Sequence, residues 1–301
     1  MRPVSVIITG ATGLMGQTLV RKLRQASSSL SLTCITRSST HHACLQDLNS
    51  NITFISGDTA LPDTWQRVFE QSLPETIIHL VQLRQVPTIL AILKQATYSP
   101  RLIIIGTTGV YSRYNAYSQE YKAAEALLNH YRGSYCLLRP TMIYGSHRDK
   151  NLHKLIKFCD RYGFFPVFGS GQYLLQPVHA DDLAQALLSV FLKPHVTGAY
   201  DLSGGTVVTF VELLKLVQKL LGKPIRPLYI PYRLGVWSAT LTETLLGVKA
   251  PVRKEQILRL QEDKAYSYKA ASQAFGYMPR SLEVGLAEEV NILRLEGLIS
   301  R

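Results

Sequence analysis

The stretch VSVIITGATGLMG, residues 4–16, decides how the rest of the chain is read. Val4 to Thr9 is a short, mostly β-branched run, the composition of a strand covered on both faces. It leads without a linker into Gly10-Ala11-Thr12-Gly13-Leu14-Met15-Gly16, and Met15–Gln25 then carries apolar residues at helical spacing. A glycine turn in that place lets backbone N–H groups approach a pyrophosphate, and the helix N-terminus adds a field that favours its negative charge. Gly10, Thr12, Gly13, Leu14, Met15 and Gly16 are therefore the candidate cradle of a dinucleotide. The competing reading is a structural turn without a ligand.

The same alternation continues to about residue 140. Strands are expected at Val4–Thr9, Leu32–Thr36, Ile52–Ile55, Thr76–Leu80, Leu102–Ile105 and Tyr135–Leu138, with helices at Met15–Gln25, Val86–Gln95 and Gln119–His130. This is an α/β pattern of βαβ units, a Rossmann-type doubly wound parallel sheet. After Arg139-Pro140 the pattern changes. Asp149–Tyr162 reads as a basic helix, Phe164–Gly171 as an aromatic loop, and Asp181–Leu192 as an apolar helix with Asp181 near its N-cap. A strand at Ala199–Leu202 and a helix at Phe210–Leu221, stopped by Gly222, follow. Pro224, Pro227 and Pro231 mark an extended segment, and helices are expected near Leu234–Leu246, Arg253–Gln261 and Leu282–Glu296. The expected division is a dinucleotide-binding core over residues 1–145 and a smaller, mainly substrate-binding C-terminal lobe over 146–301, with residues about 176–203 returning to the core.

The bulk composition narrows the partners. With 301 residues, 46% apolar and 18% charged, the chain suits one large domain or a core with a smaller lobe. Its 33 Lys and Arg against 21 Asp and Glu favour anionic partners, or form a basic solvated surface. No tract of five or six basic residues and no nucleic-acid module appears, so nucleic acid is not an expected partner. Cys34, Cys44, Cys136 and Cys159 show no C-x-x-C spacing or ligand pattern, so no metal is expected. No apolar stretch reaches the ~18–20 residues of a membrane span, and the chain enters a strand almost at once without the features of a secretory signal. A reducing cytoplasm and no membrane partner are the expectation.

At the end of the second strand stand Thr36, Arg37, Ser38 and Ser39, where an NAD site often carries an acidic residue for the ribose 2′-hydroxyl. That favours NADP, with NAD still possible. Arg37 would pair with the extra phosphate and Ser38 or Ser39 supply a hydroxyl, unless Arg37 is simply a surface arginine. Asp58, after Gly57, either accepts from the adenine amino group or caps the helix that begins near Pro62. Thr59, Leu80, Val81 and Pro140 complete the candidate cofactor contacts.

Several motifs then occur in one order: the glycine turn at 10–16, Gly57-Asp58, His79-Leu80, Thr107 to Tyr111, Tyr117, the run from Leu138 to Gly145, and His179-Ala180-Asp181-Asp182-Leu183. The stretch from Phe275 to Glu283 closes the series. In that order they resemble the extended short-chain dehydrogenase/reductase family, in its nucleoside-diphosphate-sugar epimerase, dehydratase and reductase branch. The resemblance implies hydride transfer to or from a nicotinamide, with a tyrosine as acid or base on a sugar hydroxyl or carbonyl and a serine or threonine hydrogen-bonding the same oxygen. Thr107 matches the hydroxyl and Tyr117 the tyrosine, which keeps the family's eight-residue spacing to Glu125. The family also has a lysine four residues after its tyrosine. Here Tyr121 stands there and Lys122 comes one step later.

That lysine lowers the tyrosine pKa and binds the nicotinamide ribose, whereas a phenol near pKa 10 is a poor base at neutral pH. One residue of shift turns a helical side chain by about 100°. Lys122 therefore substitutes only if the helix is reset or the side chain bends back. The candidate catalytic set is Tyr117, Thr107, Lys122 and Tyr121; the alternative is that the two tyrosines are ordinary residues of a buried helix face. On the substrate side, Arg148 and Lys154, from the basic stretch after Tyr144, and Thr108 are the candidate contacts. Leu175 occupies the position where nucleotide-sugar binders of the family often place an arginine. His179 is expected to pack rather than react. The resemblance also implies a homodimer. The expected function is that of an NADP-linked oxidoreductase or epimerase acting on a nucleotide-activated sugar or a related hydroxyl or keto compound, or else that of a non-catalytic NAD(P)-binding redox sensor or assembly protein.

Overall fold

In the computed structural model, residues 4–37, 44–45, 47–48, 52–71, 73–149, 151–247 and 253–300 are described. The first part of the chain alternates strand and helix: β1 Ser5–Thr9, α1 Leu14–Ala26, β2 Ser31–Thr36, β3 Ile52–Ser56, α2 Pro62–Gln71, β4 Thr76–His79, α3 Val86–Gln95, β5 Arg101–Ile105, α4 Ser118–Leu128 and β6 Tyr135–Pro140. Then come β7 Ile143–Tyr144, α5 Leu152–Tyr162, β8 Phe164–Phe168, β9 Leu174–Leu175, β10 Val178–His179, α6 Ala180–Leu192, β11 Gly198–Leu202, β12 Val208–Thr209, α7 Phe210–Leu221, β13 Arg226–Ile230, α8 Tyr232–Leu246, α9 Lys254–Leu258, α10 Lys269–Phe275 and α11 Leu282–Leu295.

Seven strands form one sheet in the order β11-β6-β5-β4-β1-β2-β3, every neighbouring pair parallel. β1 lies between β2 and β4, so the chain winds outward from it in both directions. The fold is a Rossmann-like parallel sheet, and its switch point is the β1/β4 seam, where a crevice opens beyond the carboxyl ends of the strands. Because βαβ crossovers cover both faces, the strands need no polar side. Val6 and Ile8 of β1 join α1, α6 and α10 in one core, whereas Ile7 faces α2, α3 and α4 in another. A third core joins α5, α7 and α11 through Ile156, Cys159, Leu213, Val217, Leu286 and Leu293.

Two sequence expectations are corrected here. Phe164–Gly171 was expected to be an aromatic loop, but residues 164–168 form β8, which pairs in parallel with β13, Arg226 opposite Phe164. Prolines survive in this ribbon because each of its two strands keeps one edge outside the ladder, where a missing N–H leaves nothing unpaired. The N-cap of α6 is His179 rather than Asp181: its Nδ1 accepts the Asp181 N–H at 3.3 Å. Asp181 instead accepts the Thr18 hydroxyl at 3.0 Å and ties α6 to α1, while Asp182 takes the backbone N–H and Nε of Arg280, both at 3.0 Å.

The seam itself is held by His79. Thr9 Oγ1 accepts the Leu80 N–H at 3.2 Å, which directs its own proton to His79 Nδ1 at 3.0 Å; the Nε2–H is left to donate to the Gln82 carbonyl at 3.3 Å. Complete burial pushes the imidazole down to about 4, so it stays neutral in the folded protein. The unfolded chain binds a proton here near pH 6.5 and the native state does not. This group's contribution is therefore full above about 6.5 and is lost as the pH falls toward 4, on the order of 3 kcal/mol in all. Urea denaturation between pH 7.5 and 4.5 is expected to show this loss, and His79→Gln, less stable at pH 7.5, is expected to give a flatter profile. Parallel profiles would remove His79 from the account.

Candidate functional site

The turn after β1 is built by close approach. Gly10 adopts φ +71°, a left-handed conformation that favours glycine, and a Cβ there would stand 3.0 Å from the Val81 side chain. Gly13 N–H donates to the Gly10 carbonyl at 3.0 Å, and Gly13 is the N-cap of α1 with no side-chain cap and no acidic residue in the first turn. The first-turn N–H groups are thus left for an anion. Gly16 has a different task. A Cβ on it would stand 2.2 Å from the Gly10 carbonyl oxygen, so its bare backbone is what lets the helix close on the turn.

A cavity of about 610 Å³ runs from this turn along the strand ends. Gly10, Thr12, Gly13, Arg37, Asp58, Thr59, Leu80, Val81 and Pro140 line it, together with Gln82, Gln85, Thr107, Thr141 and Arg148. Of the other expected cofactor contacts, Leu14, Met15 and Gly16 do not line the cavity, Met15 and Gly16 being buried behind the turn, and Ser38 lies outside the described residues. Asp58 caps no N–H of α2. Its Oδ1 accepts the Ala60 N–H at 2.9 Å in a local turn on the cavity wall. Arg148, expected on the substrate side, reaches the glycine turn and donates from Nη2 to the Thr12 carbonyl at 2.8 Å. Lys154 is exposed on α5 and lines neither this cavity nor the next.

A second cavity, of about 350 Å³, shares Thr107 and Thr141 with the first and adds Thr108, Gly109, Met142, Asn151, Leu175, Gln176, Gln256, Arg259 and Lys264. Thr107 Oγ1 accepts the Gly109 N–H at 3.0 Å, which leaves its hydroxyl proton free to donate. Sequence reading missed Arg259 and Lys264, which arrive from far along the chain. Lys264 is placed by its N–H to the Leu174 carbonyl at 2.8 Å and by a parallel bridge to Leu175. Burial and the neighbouring Arg259 pull its ammonium down to about 8. The nearby Glu262 is already engaged, accepting from Ser112 Oγ and the Arg113 N–H, each at 2.6 Å. Among the described residues Lys264 Nζ has only the Tyr173 ring, 5.9 Å away.

Asn151 and Arg148 sit on one loop organised by Asp149, which accepts the N–H groups of Asn151 at 2.6 Å and His153 at 3.3 Å. Beside Asp149 lies Glu289 of α11, fully buried. Burial and the Asp149 charge push its carboxyl up to about 10, so it is a neutral acid at pH 7.

The tyrosine region lies apart from both cavities. Tyr117 is the N-cap residue of α4, exposed, with the Arg84 guanidinium 4.6 Å above its ring. Tyr121, one turn later, packs half-buried against the sheet-facing core, 6.4 Å from the Tyr117 ring. Burial raises its pKa. α4 runs unbroken from Ser118 to Leu128, so the helix is not reset, and Lys122 is exposed. Glu125 is a structural partner: Arg139 grips it through Nε at 2.9 Å and Nη2 at 2.6 Å, holding α4 to β6.

Comparison with known proteins agrees with this geometry. Residues 6–99 match the model of the NAD dependent epimerase/dehydratase family. Among curated proteins, the NADH dehydrogenase [ubiquinone] 1 alpha subcomplex subunit 9 of Arabidopsis thaliana is 28% identical, over 48% of this chain and 36% of that protein. The short-chain dehydrogenase/reductase family 42E member 1 of Mus musculus is 26% identical, over 54% and 44%. The match thus spans less than half the length of these relatives. Among solved structures, UDP-glucose 4-epimerase of Thermotoga maritima with UDP-glucose superposes with a TM-score of 0.72 at 20% identity, covering 97% of this chain and 99% of that one. UDP-glucuronic acid 4-epimerase of Bacillus cereus with NAD gives 0.75 at 17% identity, with coverages of 97% and 99%. These likenesses bear out the fold and the resemblance to the extended short-chain dehydrogenase/reductase family.

Gly16→Ala tests how the turn is built. The added methyl meets backbone rather than a flexible side chain, so a stability loss of about 1–3 kcal/mol is expected in thermal or urea unfolding. An unchanged melting temperature would show that the turn and helix can separate without cost.

Proposed function

We propose that this chain, with its NAD-dependent epimerase/dehydratase-type fold, binds NADP in preference to NAD in the first cavity. We further propose that it acts as an oxidoreductase or epimerase on a nucleotide-activated sugar, or a related hydroxyl or keto compound, held in the second. The observation that carries the reading is the junction of the two cavities at Thr107 and Thr141, with Arg37 and Arg148 on the wall of the first and Arg259 and Lys264 on the wall of the second. The bound dinucleotide would supply hydride transfer. The first-turn N–H groups of α1 and Arg148 would hold its pyrophosphate. Arg37, at the end of β2 on the wall of the first cavity, has no partner among the described residues and would pair with a ribose 2′-phosphate. Thr107 would donate to the reacting oxygen of the substrate, and Lys264 with Arg259 would receive its anionic part. Tyr117, which lines neither cavity, remains the proposed acid or base.

A second reading, dinucleotide binding without turnover in a redox sensor or assembly protein, is favoured by one observation. Tyr121 fills the lysine's position and turns into the core, so the cation at the Tyr117 ring is Arg84 rather than a lysine. Relatives carrying the name of an NADH dehydrogenase subunit fit that reading too. In either case a homodimer in a reducing cytoplasm is proposed. Cys34, Cys136 and Cys159 are buried thiols pushed up to about 12, hence inert as free thiols.

Calorimetry is expected to show NADP bound more tightly than NAD. Arg37→Ala should weaken NADP by about tenfold or more, the value of a charge-assisted contact, with NAD affinity nearly unchanged. Failure to bind either dinucleotide would overturn both readings. With NADPH and a panel of nucleotide-4-keto sugars, turnover that Tyr117→Phe abolishes supports the enzyme, while tight binding without turnover in the parent supports the second reading.

A further inference from the structure

α8 is built the wrong way round for a helix that only covers a core. Its small residues face inward: Ala239 is buried, and a Cβ on Gly235 would stand 2.5 Å from the Phe168 ring. Its large apolar residues face outward, with Leu234 52%, Trp237 64%, Leu241 44% and Leu245 72% exposed. Spacings of three, four and four residues place these side chains on a single stripe. On α1, by contrast, Leu19 and Leu23 are fully buried. The strand that feeds α8 continues the exposure, with Leu228 and Tyr229 each more than half accessible.

The charges around the stripe are mostly positive. Glu243 is the single acidic residue between Arg226 and Gly247, and its carboxylate accepts the Lys254 N–H at 3.1 Å. Arg226, Arg233, Arg253 and Lys254 are exposed, and Arg233 lies on α8 one residue before Leu234 and four before Trp237. The whole chain carries a formal charge of +12. A leucine and tryptophan stripe fringed by arginines complements an interface whose interior is hydrocarbon and whose surface is anionic. At 15 residues α8 is about 22 Å long, and no helix of the described residues is long and apolar enough to cross a membrane, so the fit is to lying in the interface plane.

We propose that α8 docks flat on an anionic phospholipid surface, with Leu234, Trp237, Leu241 and Leu245 at the acyl boundary and Arg226 and Arg233 against lipid phosphates. α9 packs on α8 and carries Gln256 on the wall of the second cavity, with Arg259 following directly. The docked surface therefore adjoins the wall of the second cavity. The proposal stands apart from the identity of that substrate.

The chain contains its own probe. It has two tryptophans, and Trp65 is completely buried, so a change in emission on adding vesicles reports Trp237. The full chain is mixed with vesicles of phosphatidylcholine alone or with phosphatidylglycerol added. Co-sedimentation with the anionic vesicles, a blue shift of emission and quenching by brominated acyl chains are expected. Trp237→Ser with Leu241→Ser should weaken sedimentation by about tenfold or more at an unchanged melting temperature, because both side chains are exposed. No association with either vesicle overturns the proposal, and equal association with phosphatidylcholine alone overturns its anionic element. Retained binding in the double variant assigns the membrane contact to another surface. Self-association in the parent, lost in the variant and without vesicle binding, assigns the stripe to a second copy of the chain.

Discussion

The constraint on which the cofactor side of the fold depends is backbone on backbone: the Gly10–Ala11 turn against α1 at Gly16, where a single methyl group would meet a carbonyl oxygen. Much else is referred to that contact. It sets the angle at which α1 crosses the sheet, and so which face of α1 covers Val6 and Ile8. α6 packs on α1 in turn, fixed by Thr18 to Asp181 and Lys22 to Gln185. β11, which follows α6, pairs with β6, the strand that carries Pro140 at its end on the cavity wall. The far side of the cleft is thus tied to the near side through two helices and a strand, in addition to the sheet itself and the Arg148–Thr12 hydrogen bond.

Charge is distributed to match. Some cations that serve the fold are paired with carboxylates, as Arg139 is with Glu125 and Arg280 with Asp182. Along the two cavities the pattern is different. Arg148 has a carbonyl for a partner, Arg259 has Glu255 at 3.7 Å and Lys264 an aromatic face, while Glu262, two residues before Lys264, is taken by a hydroxyl and a backbone N–H. A half-buried ammonium beside another cation is an unfavourable arrangement, and the depression of Lys264 to about 8 reflects that. A bound anion would relieve it. The fold therefore holds an unsatisfied positive potential at the same place where it leaves empty volume.

The sheet was legible because its signal is local. Ser5–Thr9, Thr76–His79 and Arg101–Ile105 are short apolar runs between helical periods, and their ends fall within about a residue of the sequence reading. The direction of Tyr121 and Lys122 was legible for the same reason: 3.6 residues per turn sends neighbours to different faces whatever the tertiary setting. The aromatic and proline-rich segments of β8 and β13 were not, because only their mutual pairing makes them strands. His179 rather than Asp181 caps α6 because an imidazole nitrogen accepts an N–H as a carboxylate does, an equivalence that residue preference does not carry. Arg84 over Tyr117, and Arg259 with Lys264 in the second cavity, depend on contacts made across tens to more than a hundred residues. No spacing in the sequence encodes them.

The buried acid of α11 alters a quantity usually taken from composition. With Glu289 holding its proton at neutral pH, the formal charge of +12 undercounts the folded chain by one. That missing negative charge is absent from the interior behind the loop of Arg148 and Asn151. An approaching polyanion therefore meets a long-range attraction stronger than amino-acid counting gives, and the difference originates at a carboxyl group that it never touches.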